Sequence, residues 1–425
     1  MDNREKYYTA IIGHEKAVIA QNGLLGCSVG AHECAEIIGH CKECFSAEAE
    51  TFASLSAQND ADAMFFSAYC FYNGYGVAAD RAHAIELYTK AADLGNSAAQ
   101  YFLALEYVRG ADSAKNIADA LALLNKSAEQ GYLPAQMRLG FYYTNSCVDI
   151  TDYPTGEYIH SGEKLISKSL NLFTLAAEQG NEIAQWVLGH HYEICGELEK
   201  STEYYRKSAE QNNTIALYQL ARHYQNAIGT EVNIGRAIFN YKRVLEFDPD
   251  NTDTICALFL INYNLKRYSK AIDFVRRITD NKPVSSLPAE VSVKYGLMCA
   301  KSLGREMNAR SAIQYIANGI EAYPDAEAVV ILAQFFMKEG KEILDILSPS
   351  QVNRMMQLFE IQAENNDLKM QYILATLYRR GEVVHKDKPK AKNWYQRSAN
   401  EGYALSQYAL DNINKSFFTK FFGLW

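Results

Sequence analysis

Apolar residues along this chain recur every third or fourth position and seldom alternate, the period of helices buried along one side. Ala135, Leu139 and Tyr143 share one helical face, and Ala184, Leu188 and Tyr192 share another. A small residue follows the leucine of each such helix, at Ala104, Gly140, Gly189 and Ala221, where a second helix could approach closely. Gly74 and Gly76 then break the pattern, as glycine does where the backbone needs a positive φ. The predicted unit is therefore helix, short turn, helix.

The unit recurs, and a phrase marks its end. Residues 91–96 read AADLGN, 127–132 SAEQGY, 176–181 AAEQGN, 208–213 SAEQNN and 398–403 SANEGY, with a decayed SAQND at 56–60. Asn59 to Gly95 and Gly95 to Gly131 are both 36 residues, whereas Gly131 to Gly180 spans 49, which places an insertion at 144–169. A fixed period of this size predicts a solenoid, whose units bury their apolar faces only against their neighbours. A chain of 425 residues, long enough for two or three compact domains, can then form one stack.

Ala63, Ala68, Phe71, Gly74, Gly76, Val77, Asp80, Ala84, Tyr88 and Ala91 fall at the same offsets as Met370, Ala375, Tyr378, Gly381, Val383, Val384, Asp387, Ala391, Tyr395 and Ser398. With Asn73-Gly74-Tyr75-Gly76-Val77 and Asp80, the Trp394-Tyr395 pair and the Ala-Glu-Gln-Gly phrase, this pattern resembles the Sel1-like repeats of the tetratricopeptide superfamily. The resemblance is closest over 60–132 and 368–403 and continues over 133–213. From residue 214 the spacing changes: Ala237 and Ala271 are 34 apart, and Tyr241 and Pro249 stand where a tetratricopeptide repeat has an aromatic and its closing proline. The resemblance implies an all-α, right-handed solenoid of antiparallel helix pairs, about ten in number. The expected segments are a helical region with a capping half-repeat (1–59), Sel1-like repeats (60–213), tetratricopeptide-type repeats (214–326), a helical connecting unit (327–367), and a terminal repeat with a capping helix (368–425). The prolines and serines of 280–290 mark a candidate hinge.

Composition narrows the function classes. Hydrophobic residues make up 48% of the chain, with only 8 Pro and 25 Gly, so a continuous core is expected. No apolar run approaches the roughly 18 residues of a membrane span, and the mixed-charge N-terminus lacks a secretory pattern. The net charge of −8 disfavours a nucleic-acid surface, which needs Lys and Arg to replace counterions. Lys386, Lys388, Lys390 and Lys392 form one basic cluster, read as a solvated turn and helix face. Nine cysteines in such a chain point to reduced thiols and a cytoplasmic location, with Cys70, Cys147, Cys195, Cys256 and Cys299 as small core residues.

Candidate chemistry is sparse. Cys41-x-x-Cys44, with Cys34, His40 or His32, has one zinc-type half-spacing. Cys27, Cys34 and Cys41, seven apart, equally fit a packing stripe. A thiol- or zinc-dependent sensor is the alternative function. Gly74-Tyr75-Gly76 lies between two helices and lacks the strand a phosphate loop needs. His190 and His191 are adjacent and point to different sides of a helix. No catalytic constellation is identified, and neither an enzyme nor a cofactor is expected.

The resemblance supplies the site prediction. In tetratricopeptide repeats the first helix of each unit lines a concave groove, with exposed positions two residues before and two after its conserved leucine. The earlier position holds Phe65, Tyr101, Met137, Trp186, Tyr218 and Tyr372; the later holds Tyr69, Leu105, Phe141, His190, Arg222 and Thr376. Such an aromatic ladder either packs successive helices together or anchors a peptide. Phe65, Tyr69, Tyr101, Met137, Phe141, Trp186, His190, Tyr218, Arg222 and Tyr372 are the candidate partner-binding set. The implied function is a scaffold or adaptor for a protein or peptide, in a bacterial regulatory, effector or toxin-immunity role. The tail residues Phe417, Phe418, Phe421, Phe422 and Trp425 are expected to cap the open end of the stack.

Overall fold

The computed structural model describes residues 3–21, 31–109, 114–144, 163–280, 283–304 and 308–422. Among them are α-helices and short 3-10 turns and no strand, as the periodicity requires. The chain divides into two compact units, Met1–Pro249 and Asp250–Trp425.

The first unit holds α1 (Asn3–Gln21) with α2 (Ala31–Ser56), α3 (Ala61–Asn73) with α4 (Arg81–Asp93), α5 (Ser97–Arg109) with α6 (Ala114–Glu129), α7 (Leu133–Thr144) with α8 (Glu163–Glu178), α9 (Glu182–Ile194) with α10 (Leu198–Glu210), and α11 (Thr214–Asn226) with α12 (Ile234–Phe247). From α1 to α12, successive helices pack on one another. Of the insertion expected at 144–169, residues 145–162 lie outside the described residues.

The structure explains why the phrase repeats. Its serine donates to a carbonyl at the start of the partner helix: Ser127 to Ser97 and Ser208 to Glu182, each at 2.6 Å. Its glutamine donates to a glutamine of the preceding helix, Gln130 to Gln100 at 2.8 Å, Gln179 to Gln136 at 2.8 Å and Gln211 to Gln185 at 2.9 Å. The acceptor glutamine in turn donates back across the repeat junction, Gln100 to the Ala92 carbonyl at 3.4 Å, Gln136 to Ala128 at 3.3 Å and Gln185 to Ala177 at 3.3 Å. The phrase's glycine takes a left-handed backbone (Gly180, φ 87°) and the next residue, Asn181, caps the following helix by accepting from Ala184 N. The small residue after each leucine has its own cause. A Cβ on Gly140 would sit 2.9 Å from the Phe173 ring, and one on Gly189 2.7 Å from the Tyr205 ring.

The second unit holds α13 (Thr252–Asn264) with α14 (Tyr268–Thr279), α15 (Ala289–Ala300) with α16 (Ala309–Gly319), α17 (Ala326–Glu339), α18 (Pro349–Glu364), α19 (Leu368–Arg380) with α20 (Lys388–Asn400), and α21 (Ala404–Phe422). Here α17 packs on α15, α16, α18 and α19, and a 3-10 turn, Gly340–Asp345, replaces the usual link after it. The candidate hinge becomes another 3-10 turn, Val284–Ser286, and its residues 281–282 lie outside the described set. The tail runs into α21; the side chains of Phe417, Phe418, Phe421 and Phe422, and residue Trp425 entirely, lie outside the described residues.

Candidate functional site

The ten candidate positions separate by burial. Phe65, Tyr69, Tyr101, Met137, Phe141 and Trp186 are buried. Phe65 stacks on Tyr8 of α1 with ring centroids 5.8 Å apart, and the Tyr69 hydroxyl meets His14 Nδ1 at 3.0 Å. Tyr101 lies beneath the Arg138 guanidinium, which donates to its hydroxyl at 3.2 Å, and Phe141 meets Phe173 edge-on at 5.0 Å. At these positions the ladder joins one helix to the next. His190, Tyr218, Arg222 and Tyr372 remain half-buried. Tyr372 belongs to the second unit, between Tyr395 and Tyr403, each 5.8 Å away. The other three sit on α9 and α11 of the first unit.

A network underlies those three. Glu193, at the end of α9, accepts from the Arg222 guanidinium of α11 through Oε1 and from the Tyr205 hydroxyl of α10 through Oε2 at 2.8 Å. Below them His223 is fully buried, its Nδ1 2.7 Å from Thr202 Oγ1 and its Nε2 3.7 Å from Glu193 Oε1. Burial pushes the His190 and His223 imidazoles below the ordinary histidine range, with Arg222 adding to the effect and Glu193 opposing it. Burial raises the Tyr205 phenol, and its bond to the carboxylate raises it further. His190 stacks on Trp186, 6.4 Å between centroids, and Tyr218 meets Tyr241 edge-on at 5.5 Å. The outcome is a polar-aromatic patch with one half-exposed guanidinium. Sequence reasoning found Trp186, His190, Tyr218 and Arg222 but missed Glu193, Thr202, Tyr205 and His223. Those four come from three helices, so no spacing within one helix reveals them; the recurring second-helix tyrosine (Tyr88, Tyr205, Tyr241, Tyr395) was the available signal.

The cysteine cluster separates. Cys41 is buried in the core, which pushes its thiol up to about 11, while His40 and Cys44 pair at the surface, Nε2 to Sγ 3.5 Å. The side chains of His32 and Cys34, and residue Cys27, lie outside the described residues. Among the described residues no group of three His, Cys, Asp or Glu side chains is placed to hold a metal. Cys195, expected in the core, is exposed at the end of α9 because the helix stops there; Cys70, Cys256 and Cys299 are buried as expected. Lys390 in the basic run binds Glu360 and the Tyr378 hydroxyl rather than standing free in solvent.

The Sel1 repeat family model matches residues 61–96, 97–132, 157–181, 197–213, 214–243 and 368–403. This chain is a Sel1-repeat protein. The Sel1 match enters the segment of changed spacing, and the structure shows the shared register there. Ala227, Gly229 and Asn233 occupy the positions of Gly74, Gly76 and Asp80, with Ala227 left-handed at φ 58° and Asn233 capping α12. A protective antigen of uropathogenic Escherichia coli with the same repeat fold is 22% identical, over 87% of this chain and 75% of that one, with a TM-score of 0.55. A Sel1 repeat protein from Oxalobacter formigenes is 21% identical, over 86% of this chain and 91% of that one, at 0.37. An immunity protein of Pseudomonas aeruginosa is 23% identical, over 48% of this chain and 75% of that one, at 0.31. No curated protein matches this Sel1-repeat chain in sequence. It is a repeat scaffold of the kind that binds other proteins, and no described helix is long and apolar enough to cross a membrane.

Proposed function

We propose that this Sel1-repeat protein is a non-catalytic adaptor that captures a segment of a partner protein on the inner face of α9 and α11. The observation that carries the reading is the half-exposure of His190, Tyr218 and Arg222 on neighbouring first helices, at register positions that are buried in the preceding repeats. Tyr and Arg are the residues that most often dominate binding energy, and both are held here by packing before any partner arrives. Tyr218 is braced by Tyr241, and Arg222 by Glu193. The thiols of Cys41, Cys44, Cys70 and Cys195, outside any disulfide, support action in a reducing cytoplasm.

The test begins with affinity capture by the full chain from its native cell, followed by measurement of the purified partner's dissociation constant. Tyr218→Ala and Arg222→Ala should each weaken binding about tenfold or more, with the fold retained by circular dichroism. An unchanged affinity in both variants would remove α9 and α11 as the docking face.

A further inference from the structure

Beneath the proposed docking face, His223 has a polar neighbour at each ring nitrogen. Thr202 Oγ1 lies 3.0 Å from the carbonyl oxygens of both Leu198 and Ile228, so its single hydrogen is directed to a carbonyl. We assign the hydrogen of the neutral ring to Nδ1, with the same oxygen accepting at His223. The remaining ring nitrogen, Nε2, presents a lone pair and has no hydrogen-bond partner, although it is fully buried. It faces Glu193 Oε1 at 3.7 Å, an acceptor opposite an acceptor. One proton at Nε2 turns that opposition into a charge-assisted hydrogen bond.

Other groups define the response. From α9 come Glu193 and His190, from α10 the Tyr205 phenol, which donates to Glu193 Oε2, and from α11 Arg222, which shares Glu193 Oε1 with His223. From α12 comes the Tyr241 phenol, packed against Tyr218. Both phenols are held protonated by burial, so near neutrality the charge balance rests on Glu193, Arg222 and the two histidines. With His223 neutral, Glu193 and Arg222 cancel. With His223 protonated, two cations that repel each other face one carboxylate, and Arg222 is the one that can leave, since its side chain is 38% exposed and that of His223 is 0%.

We infer that His223 is a proton-operated latch: proton uptake at Nε2 transfers Glu193 from Arg222 to His223 and frees the guanidinium to bind a carboxylate-bearing segment of a partner. This rests on the docking reading of α9 and α11 for the partner's place, while the release of Arg222 is measurable with no partner present. Acidification then strengthens capture of acidic segments, and a neutral site holds them less tightly.

The experiment follows the Arg222 Nε–Hε and His223 ring signals of the full chain by NMR from pH 7.5 to 5, alone and with tetraglutamate as probe. Expected is one midpoint shared by both residues and tetraglutamate binding about threefold tighter on the acid side. Both changes should be absent in His223→Gln. Glu193→Gln, at a partly exposed position, covers the case in which His223→Gln does not fold: with no carboxylate to hand over, Arg222 should not respond across the His223 titration. An Arg222 signal that stays fixed while His223 titrates overturns the latch, as does equal acid strengthening of tetraglutamate binding in either variant. Failure of the docking reading is seen separately, as partner affinity unaffected by Tyr218→Ala.

Discussion

Phe65 and Tyr218 occupy the same register position in two Sel1 repeats, yet one is core and the other half-exposed. The difference lies in the side chains that neighbouring helices bring to each. At Phe65, α1 supplies Tyr8 as a stacked lid and Arg4, whose guanidinium binds Asp60 and Asp62 at 2.7 Å each. At Tyr101 the first helix of the next repeat, α7, supplies cover through Arg138. Tyr218 meets Tyr241 on the partner helix of the same repeat and remains half-exposed. A repeat position thus has no fixed role; the neighbour's side chain decides whether it is buried in the stack or left half-exposed.

The largest effect expected from this contrast is on stability. Phe65→Ala should cost about 3–5 kcal/mol in urea unfolding followed by circular dichroism, whereas Tyr218→Ala should cost under about 1.5 kcal/mol and act on binding. Equal losses would mean that the two positions are alike after all. Next comes Gly189→Ala: its new Cβ would meet the Tyr205 ring at 2.7 Å, and the overpacking should cost about 1–3 kcal/mol by the same measurement.

A third comparison uses pH. His14 beside Tyr69 and His223 beside Thr202 both have folded-state pKa values lowered by burial. Between the unfolded value of about 6.5 and the lower folded values, the unfolded chain binds more protons, so this stabilisation is complete above that window and declines as pH falls through it. The urea midpoint should therefore drop on acidification, and His14→Gln and His223→Gln should each flatten part of the slope. An unaltered slope in both would show that neither ring is kept neutral by the fold. The smallest effect is a gain: Ala227 holds a left-handed backbone that Gly74 and Gly381 supply elsewhere, and Ala227→Gly should stabilise by about 0.5–1 kcal/mol, read as a higher midpoint.

Much of the architecture was legible because each repeat writes its own junction chemistry into the chain. The serine, glutamine, glycine and asparagine of the phrase each have a structural duty, and all four are local or fall at one repeat's separation. The small residue after each leucine was legible for the same reason, since Gly140 and Gly189 admit an aromatic ring from the next helix. The site was legible only in part. Register placed Tyr218 and Arg222 among the candidate positions but could not say that Phe65 and Tyr101 were already covered, because Tyr8 and Arg138 lie outside their own repeats. Glu193, Tyr205 and His223 converge from three helices through angles between repeats that no single helix encodes.

The glutamine relay has a further consequence, for how such a chain can change in length. Three junctions of the first unit are closed by a side chain from one repeat donating to the carbonyl at the end of the repeat before it, at an interval of eight residues, Gln100 to Ala92, Gln136 to Ala128 and Gln185 to Ala177. Excision of 97–132 would set Gln136 opposite the Ala92 carbonyl, so the new seam would resemble the old ones. Removal of half a repeat would leave an amide and a carbonyl facing no counterpart. Gain or loss of whole 36-residue units is therefore the mutational step this scaffold tolerates best, so its reach can be adjusted without redesign of any single joint.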